Sequence, residues 1–215
     1  MSKSSSTQSR KKRLKKIIII FASVLALLLA FVYVAPYVIN LLQSGNTQSD
    51  EYEDLRFFPV EEGKNVLEDP LYRTLDSSIY YTRYAETIAL NDQNIESVHP
   101  SAQFFYNYFN CIKNGEYQLY SSFYTNECYN HKNFNRPNSF TTQGLYDINI
   151  KLHSITVDKD KNQATETYTV SYRIFENNGT YRKDVLPDEL LVRVFEIKID
   201  NGNIKICNVG FASKK

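Results

Sequence analysis

Three histidines, three cysteines and one carboxylate set among tyrosines are the side chains of this 215-residue chain whose types could carry chemistry. His99, His131 and His153 would suit a zinc ion, which takes three or four N, S or O donors. Each stands alone, with no His-x-x-x-His and no neighbouring Cys pair. That spacing favours a helix cap, a loop residue and a bulge residue over a metal centre. Cys111, Cys128 and Cys207 are odd in number and lack a C-x-x-C pattern. Two readings stay open for them: a Cys111–Cys128 disulfide, or buried thiols acting as small hydrophobes. Glu166 shares a strand face with Tyr168 and Tyr172, the arrangement a general acid or base would need beside a hydrogen-bond donor. Its place near a strand end makes a solvated carboxylate the ordinary outcome. No Gly-rich phosphate loop, no G-x-S-x-G and no H-E-x-x-H occurs. No cofactor is therefore expected, and catalysis is disfavoured.

The chain holds 17 Tyr and 13 Phe but no Trp. Tyrosine fills a core while its hydroxyl seeks a partner, and it is also favoured at protein contacts. Phe105, Phe109, Phe123, Glu166, Tyr168 and Tyr172 are the candidates for lining an internal cavity or an interface. Richness in Asn, Lys, Ile and Tyr suggests an AT-rich bacterial genome.

The elements that would position these residues follow from periodicity. Asp69 and Pro70 read as an N-cap and first helical position. Tyr72, Leu75, Ile79 and Ile88 then predict a helix over 70–90, with a strand at Ser-Ile-Tyr-Tyr-Thr as the alternative. Pro100 opens a second helix, whose face carries Ala102, Phe105, Phe109 and Ile112 and which stops at Asn114-Gly115. A short helix with Leu119 and Phe123 follows, then a polar loop. From Leu145 the period becomes two. Ile148, Ile150 and Leu152 give way to Ile155 and Val157 in the opposite phase, which predicts a bulge near His153-Ser154. The next strand alternates Tyr168, Val170, Tyr172 and Ile174. A third, over 189–199, is expected to change phase from Val192 and Val194 to Phe195, Ile197 and Ile199. Asp-Asn-Gly-Asn at 200–203 predicts a tight hairpin. Asn178-Gly179-Thr180 matches a glycosylation sequon, but a turn explains it fully. Helices followed by bulged strands argue an α+β fold, with helices packed on one face of a curved antiparallel sheet.

Ahead of this domain stands a different kind of segment. Residues 1–16 carry seven Lys and Arg and no acid, and 17–42 contain no charged side chain. A bilayer needs about 20 apolar residues of helix, whereas a cleaved signal has about 7–15 followed by small residues. The run is too long for a signal, is apolar on every face, and lacks an Ala-x-Ala site. It predicts a retained transmembrane helix in the lipid bilayer. Basic residues stay on the cytoplasmic side and Tyr33 and Tyr37 suit the opposite interface. The expected layout is a basic cytoplasmic tail at 1–16, a single-pass transmembrane helix at 17–42, a polar linker at 43–65 and an extracytoplasmic domain at 66–215. Arg56 to Val60 is an apolar dot in that linker, suited to docking on the domain. The net charge is +1, so removing the tail's seven positive charges leaves the rest acidic, which disfavours a nucleic-acid partner, and none is expected.

The helix–turn–helix "SAQFFYNYFNCIKNGEYQLYSSFYTNE" and the closing strands "VRVFEIKIDNGNIKICNVGF" resemble the NTF2-like superfamily over roughly 69–211. The resemblance implies an α+β cone (NTF2-like or cystatin-like) and leaves activity open, since that fold hosts enzymes and non-catalytic partners alike. A cytoplasmic tail, one span and an NTF2-like domain outside is also the layout of VirB8-like and TcpC-like components of bacterial conjugation and secretion channels. TcpC-like proteins usually carry two such domains and this chain has one. The resemblance implies a non-catalytic binding or assembly role with a protein partner at the outer membrane surface. The alternative is a small-molecule binder or an isomerase- or dehydratase-type enzyme using the cone.

Overall fold

The computed structural model describes residues 57–61, 63–131, 134 and 136–211. The basic tail, the apolar run and most of the linker lie outside them. No described helix is long and apolar enough to cross a membrane. Glu53–Lys215 forms one compact unit.

The stretch read as a helix over 70–90 folds otherwise. Asp69 does cap a turn, its Oδ1 accepting the N–H groups of Leu71 and Tyr72 at 2.8 and 3.4 Å. That turn is a single 3-10 turn, Tyr72–Thr74. Strands β1, Ile79–Arg83, and β2, Glu86–Leu90, then pair as an antiparallel hairpin. The strand alternative wins because β-branched and aromatic residues fit a pleated, half-buried surface. Tyr84 turns the hairpin with φ 57°.

Helix α1, Pro100–Lys113, buries Ala102, Phe105, Phe109 and Ile112 as the spacing predicts, and Tyr108 with them. His99 Nδ1 caps it, accepting the Ser101 N–H at 3.2 Å. The helix ends at Gly115, whose φ is +71°. A Cβ there would lie 2.7 Å from the Thr142 nitrogen, so the position demands glycine on two counts. Helix α2, Tyr117–Tyr120, runs into a 3-10 turn, Ser121–Phe123, and helix α3, Asn126–Tyr129, follows. Here the expected face is off: Leu119 is exposed, while Tyr120 and Tyr124 point inward.

Strands β3, Gly144–Asp158, β4, Gln163–Phe175, β5, Leu191–Asp200, and β6, Asn203–Phe211, form an antiparallel meander. The sheet order is β2-β1-β3-β4-β5-β6. Because β1 runs parallel to β3, with Ile79 opposite Ile148 and Tyr81 opposite Ile150, the sheet is mixed rather than purely antiparallel. The bulge expected at His153-Ser154 is present, with a second break between Tyr146 and Asn149. The phase change expected inside β5 is absent. Leu191, Phe195 and Ile197 share the buried face, and the β4–β5 register is unbroken. The irregularity falls in β6, where Cys207 is the extra residue between Ile206, opposite Ile197, and Asn208, opposite Glu196. Asn201 and Gly202 form the expected hairpin turn, both with positive φ.

The fold is therefore α+β, with short helices on a six-stranded sheet. One apolar core joins α1 to Ile148, Ile150, Tyr168, Val170, Tyr172, Phe195 and Ile197. Each such large side chain stabilises the fold by roughly 1.5–3 kcal/mol on burial. The apolar dot at 57–60 docks on this unit. The Phe58 N–H donates to the Asn177 carbonyl at 2.9 Å, and Lys64 pairs with Glu176 at 2.9 Å. Gly179, at φ +71°, leaves room for the Phe57 ring, which a Cβ would meet at 3.1 Å.

Candidate functional site

Glu166 is where the polar chemistry gathers, and it is not solvated at a strand end. It is 2% exposed, set on β4 beneath the N-terminus of α1. One carboxylate oxygen, Oε2, accepts from Ser101 Oγ at 2.5 Å and from the Tyr168 hydroxyl at 2.7 Å. The other accepts from the Arg83 guanidinium at 2.9 Å. Tyr81 and Tyr168 share a further bond, 2.9 Å between hydroxyl oxygens. Three elements converge: the end of β1 supplies Arg83, α1 supplies Ser101, and β4 supplies Glu166 and Tyr168.

Burial pushes the Glu166 pKa up, but the hydrogen bonds from Ser101, Tyr168 and Arg83 and the Arg83 charge outweigh it and hold the group below its usual value. Burial, then the bonds to Tyr81 and Glu166, push Tyr168 up. Burial lowers the His99 pKa, and the Arg83 charge adds to this. Glu166 is thus a fixed anion whose two oxygens both have donors. A carboxylate so occupied is suited to organising its neighbours rather than to exchanging a proton with a substrate.

A second polar knot lies deeper. The Tyr124 hydroxyl bonds those of Tyr120 and Tyr108 at 2.6 and 2.8 Å, and Tyr181 lies 3.4 Å from Tyr108. Arg182, 9% exposed, sits beside it and grips Asp184 with two bonds of 2.7 and 2.5 Å. Arg193 holds the same carboxylate at 2.7 Å. Burial pushes the pKa of Tyr108, Tyr124 and Tyr172 well up. Among the described residues, no buried side-chain polar atom lacks a hydrogen-bond partner.

The six candidate residues fall into this packing unevenly. Phe105 meets Tyr168 edge-on at 4.9 Å and so joins the Glu166 cluster. Phe109 packs on Tyr172 at 5.6 Å. Phe123 is half-buried against Phe104 and Tyr108, at 5.6 and 5.5 Å. Phe105, Phe109, Tyr168 and Tyr172 are core members whose rings pack between α1 and the sheet, and Phe123 packs against the edge of that core. Sequence reasoning missed Arg83, Ser101 and Tyr81. The alternation of Ile79, Tyr81 and Arg83 would have signalled the first and last, had that stretch been read as a strand.

The histidines separate into a cap, His99, a loop residue, His131, and a bulge residue, His153, whose Nε2 lies 2.5 Å from Thr169 Oγ1. Among the described residues no group of three His, Cys, Asp or Glu is placed to hold a metal ion. All three thiols are free. Cys111 donates to the Glu116 carbonyl at 3.2 Å, while Cys128 and Cys207 line one cavity elsewhere. No protein-family model, curated protein or solved structure matches the chain.

Proposed function

We propose that this chain is a single-pass membrane protein, N-terminus inside, whose NTF2-like domain stands outside the membrane as a non-catalytic binding or assembly module. A component of a secretion or conjugation apparatus is the role that layout fits. The observation that carries the reading is the filled interior. Phe105, Phe109, Tyr168 and Tyr172 interlock between helix and sheet, and Glu166 has its hydrogen bonds taken. A ligand-binding cone would need an apolar cavity with convergent, available polar groups.

The core-bearing face of the sheet runs on into an open end, which offers an alternative place for function. Val157, Ala164, Ile199 and Ile204 pair in one cross-strand row, with Ile155 in the row beside it. Val157 is 61% exposed and Ile155 38%. Ala164, Ile199 and Ile204 are half-buried beside them, and a contiguous apolar patch of this kind marks a protein contact.

The test uses the full chain in the membrane of its own cells, with a photocrosslinking residue at position 157. A discrete adduct with another protein, absent when the probe stands at Thr165, is expected. Protease added from outside should remove the domain and spare the tail. Protection of the domain would overturn the topology. A thermal shift with a small apolar molecule, and no adduct at 157, would favour the cavity reading.

A further inference from the structure

We propose that Cys128 and Cys207 are a redox-active pair that takes a low-molecular-weight disulfide as its oxidant and closes into an intramolecular disulfide. This inference goes beyond the assembly role and does not rest on it.

Three features place the two cysteines on the wall of one cavity. First, the chain before α3 is fastened to β6 immediately ahead of Cys207. Tyr124 and Ile206 form a parallel bridge, and the Thr125 N–H donates to the Ile206 carbonyl at 2.9 Å. Thr125 then caps α3, its Oγ1 accepting the Cys128 N–H at 3.2 Å, which fixes the first turn of that helix over the bulge. Second, the bulge sets the direction of Cys207. Two residues, Ile206 and Cys207, stand against the single residue Ile197. In this arrangement the extra residue leaves the strict in-out alternation, so Cys207 is not sent to the solvent face as its position in the strand would dictate. Third, both sulfur-bearing residues line one open cavity of about 460 Å³, together with Glu127, His131, Phe134, Asn208 and Val209. Cys111 is not among its walls.

The two thiols differ in access. Cys128 is buried and Cys207 half-buried, so the outer sulfur meets the oxidant first. The Cys207 thiol now donates to the Glu196 carbonyl at 3.3 Å and must rotate from it. As a thiolate it attacks one sulfur of the donor, forming a mixed disulfide and releasing one thiol. The Cys128 thiolate then attacks the Cys207 sulfur, closing the protein disulfide and releasing the second thiol. Two protein S–H bonds and one donor S–S bond are exchanged for one protein S–S bond and two donor thiols, so the step balances. Burial, and then the neighbouring Cys207, push the Cys128 thiol up to about 11, and burial raises Cys207 as well. Closure is therefore expected to speed up with alkaline pH, because the thiolate is the attacking species.

The test incubates the full-length protein with glutathione disulfide, then alkylates free thiols after unfolding and digests with trypsin without reduction. Cleavage after Lys113 separates Cys111 from Cys128, so the pairings are distinguishable. The expected product is a cross-linked peptide pair carrying Cys128 and Cys207, two hydrogens lighter than the sum, with Cys111 alkylated. Cys128→Ser and Cys207→Ser should each abolish it and Cys111→Ser should not. Alkylation of all three cysteines, stable glutathione adducts without closure, or a bond involving Cys111 would each overturn the pairing. The wild-type peptide map decides the matter even if a serine variant does not fold.

Discussion

Arg83 reaches over β3 to place its guanidinium 2.9 Å from the Glu166 carboxylate on β4, so two strands that are not neighbours are tied by one ion pair. The pair is fixed further by Ser101 from the helix above. Removing one member leaves the other short of partners in a largely dry place. Glu166→Gln is expected to lower stability by about 2–4 kcal/mol, toward the range for breaking a buried pair, measured by urea unfolding. A change below about 0.5 kcal/mol, the scale of an exposed pair, would mean the cluster is far wetter than its geometry.

Acid should weaken the fold in two stages. His99 is lowered from 6.5 in the folded state, so its contribution is present above that value and is lost as the unfolded chain takes up the proton on acidification. Glu166 is lowered from 4.5, and its contribution is lost as pH falls through its folded pKa. Stability measured from pH 8 downward is expected to decline first just below 6.5 and again in the carboxylate range. His99→Gln should flatten the first decline alone.

Two glycines should separate conformational from steric cost. Gly115 and Gly202 both have positive φ, but only Gly115 faces backbone atoms at contact distance. Gly202→Ala is expected to cost about 1 kcal/mol, from the left-handed conformation alone. Gly115→Ala should cost clearly more, because the Thr141–Thr142 backbone has to move. Equal midpoints in thermal unfolding would contradict the packing at the end of α1.

Tyr124→Phe deletes a hydroxyl that serves both Tyr108 and Tyr120. The change is expected to cost about 1–3 kcal/mol, because two buried hydroxyls lose a partner and little volume changes. Phe105→Ala should cost about 3–5 kcal/mol through the cavity it leaves. Val157→Lys, on the open row, should leave the unfolding midpoint within error.

The β-meander, its first bulge, the Asn201-Gly202 turn and α1 with its glycine stop were legible because each follows from local pattern. The failures have a common cause. Over 70–90, Ile79 and Ile88 fall at spacings compatible with a helix. What makes the stretch a hairpin is a parallel partner 69 residues on, since Ile79 pairs with Ile148. In β5, Val192 and Val194 look like a core face only until the register with β4 is known. Glu166 was found as the acid on the tyrosine face, yet its solvation was misjudged. The donors that bury it come from β1 and α1, and nothing in the sequence around Glu166 announces them.

The tyrosine knot sets an upper limit on tolerance to base. In the unfolded chain these phenols would ionise near pH 10, while burial holds Tyr108, Tyr124 and Tyr172 protonated well beyond it. Folding stability from them is complete below that value and drains away as pH rises, several protons at once. With no Trp in the chain, phenolate absorbance is free of indole overlap. The buried phenols would ionise together in a single steep step at which the core opens.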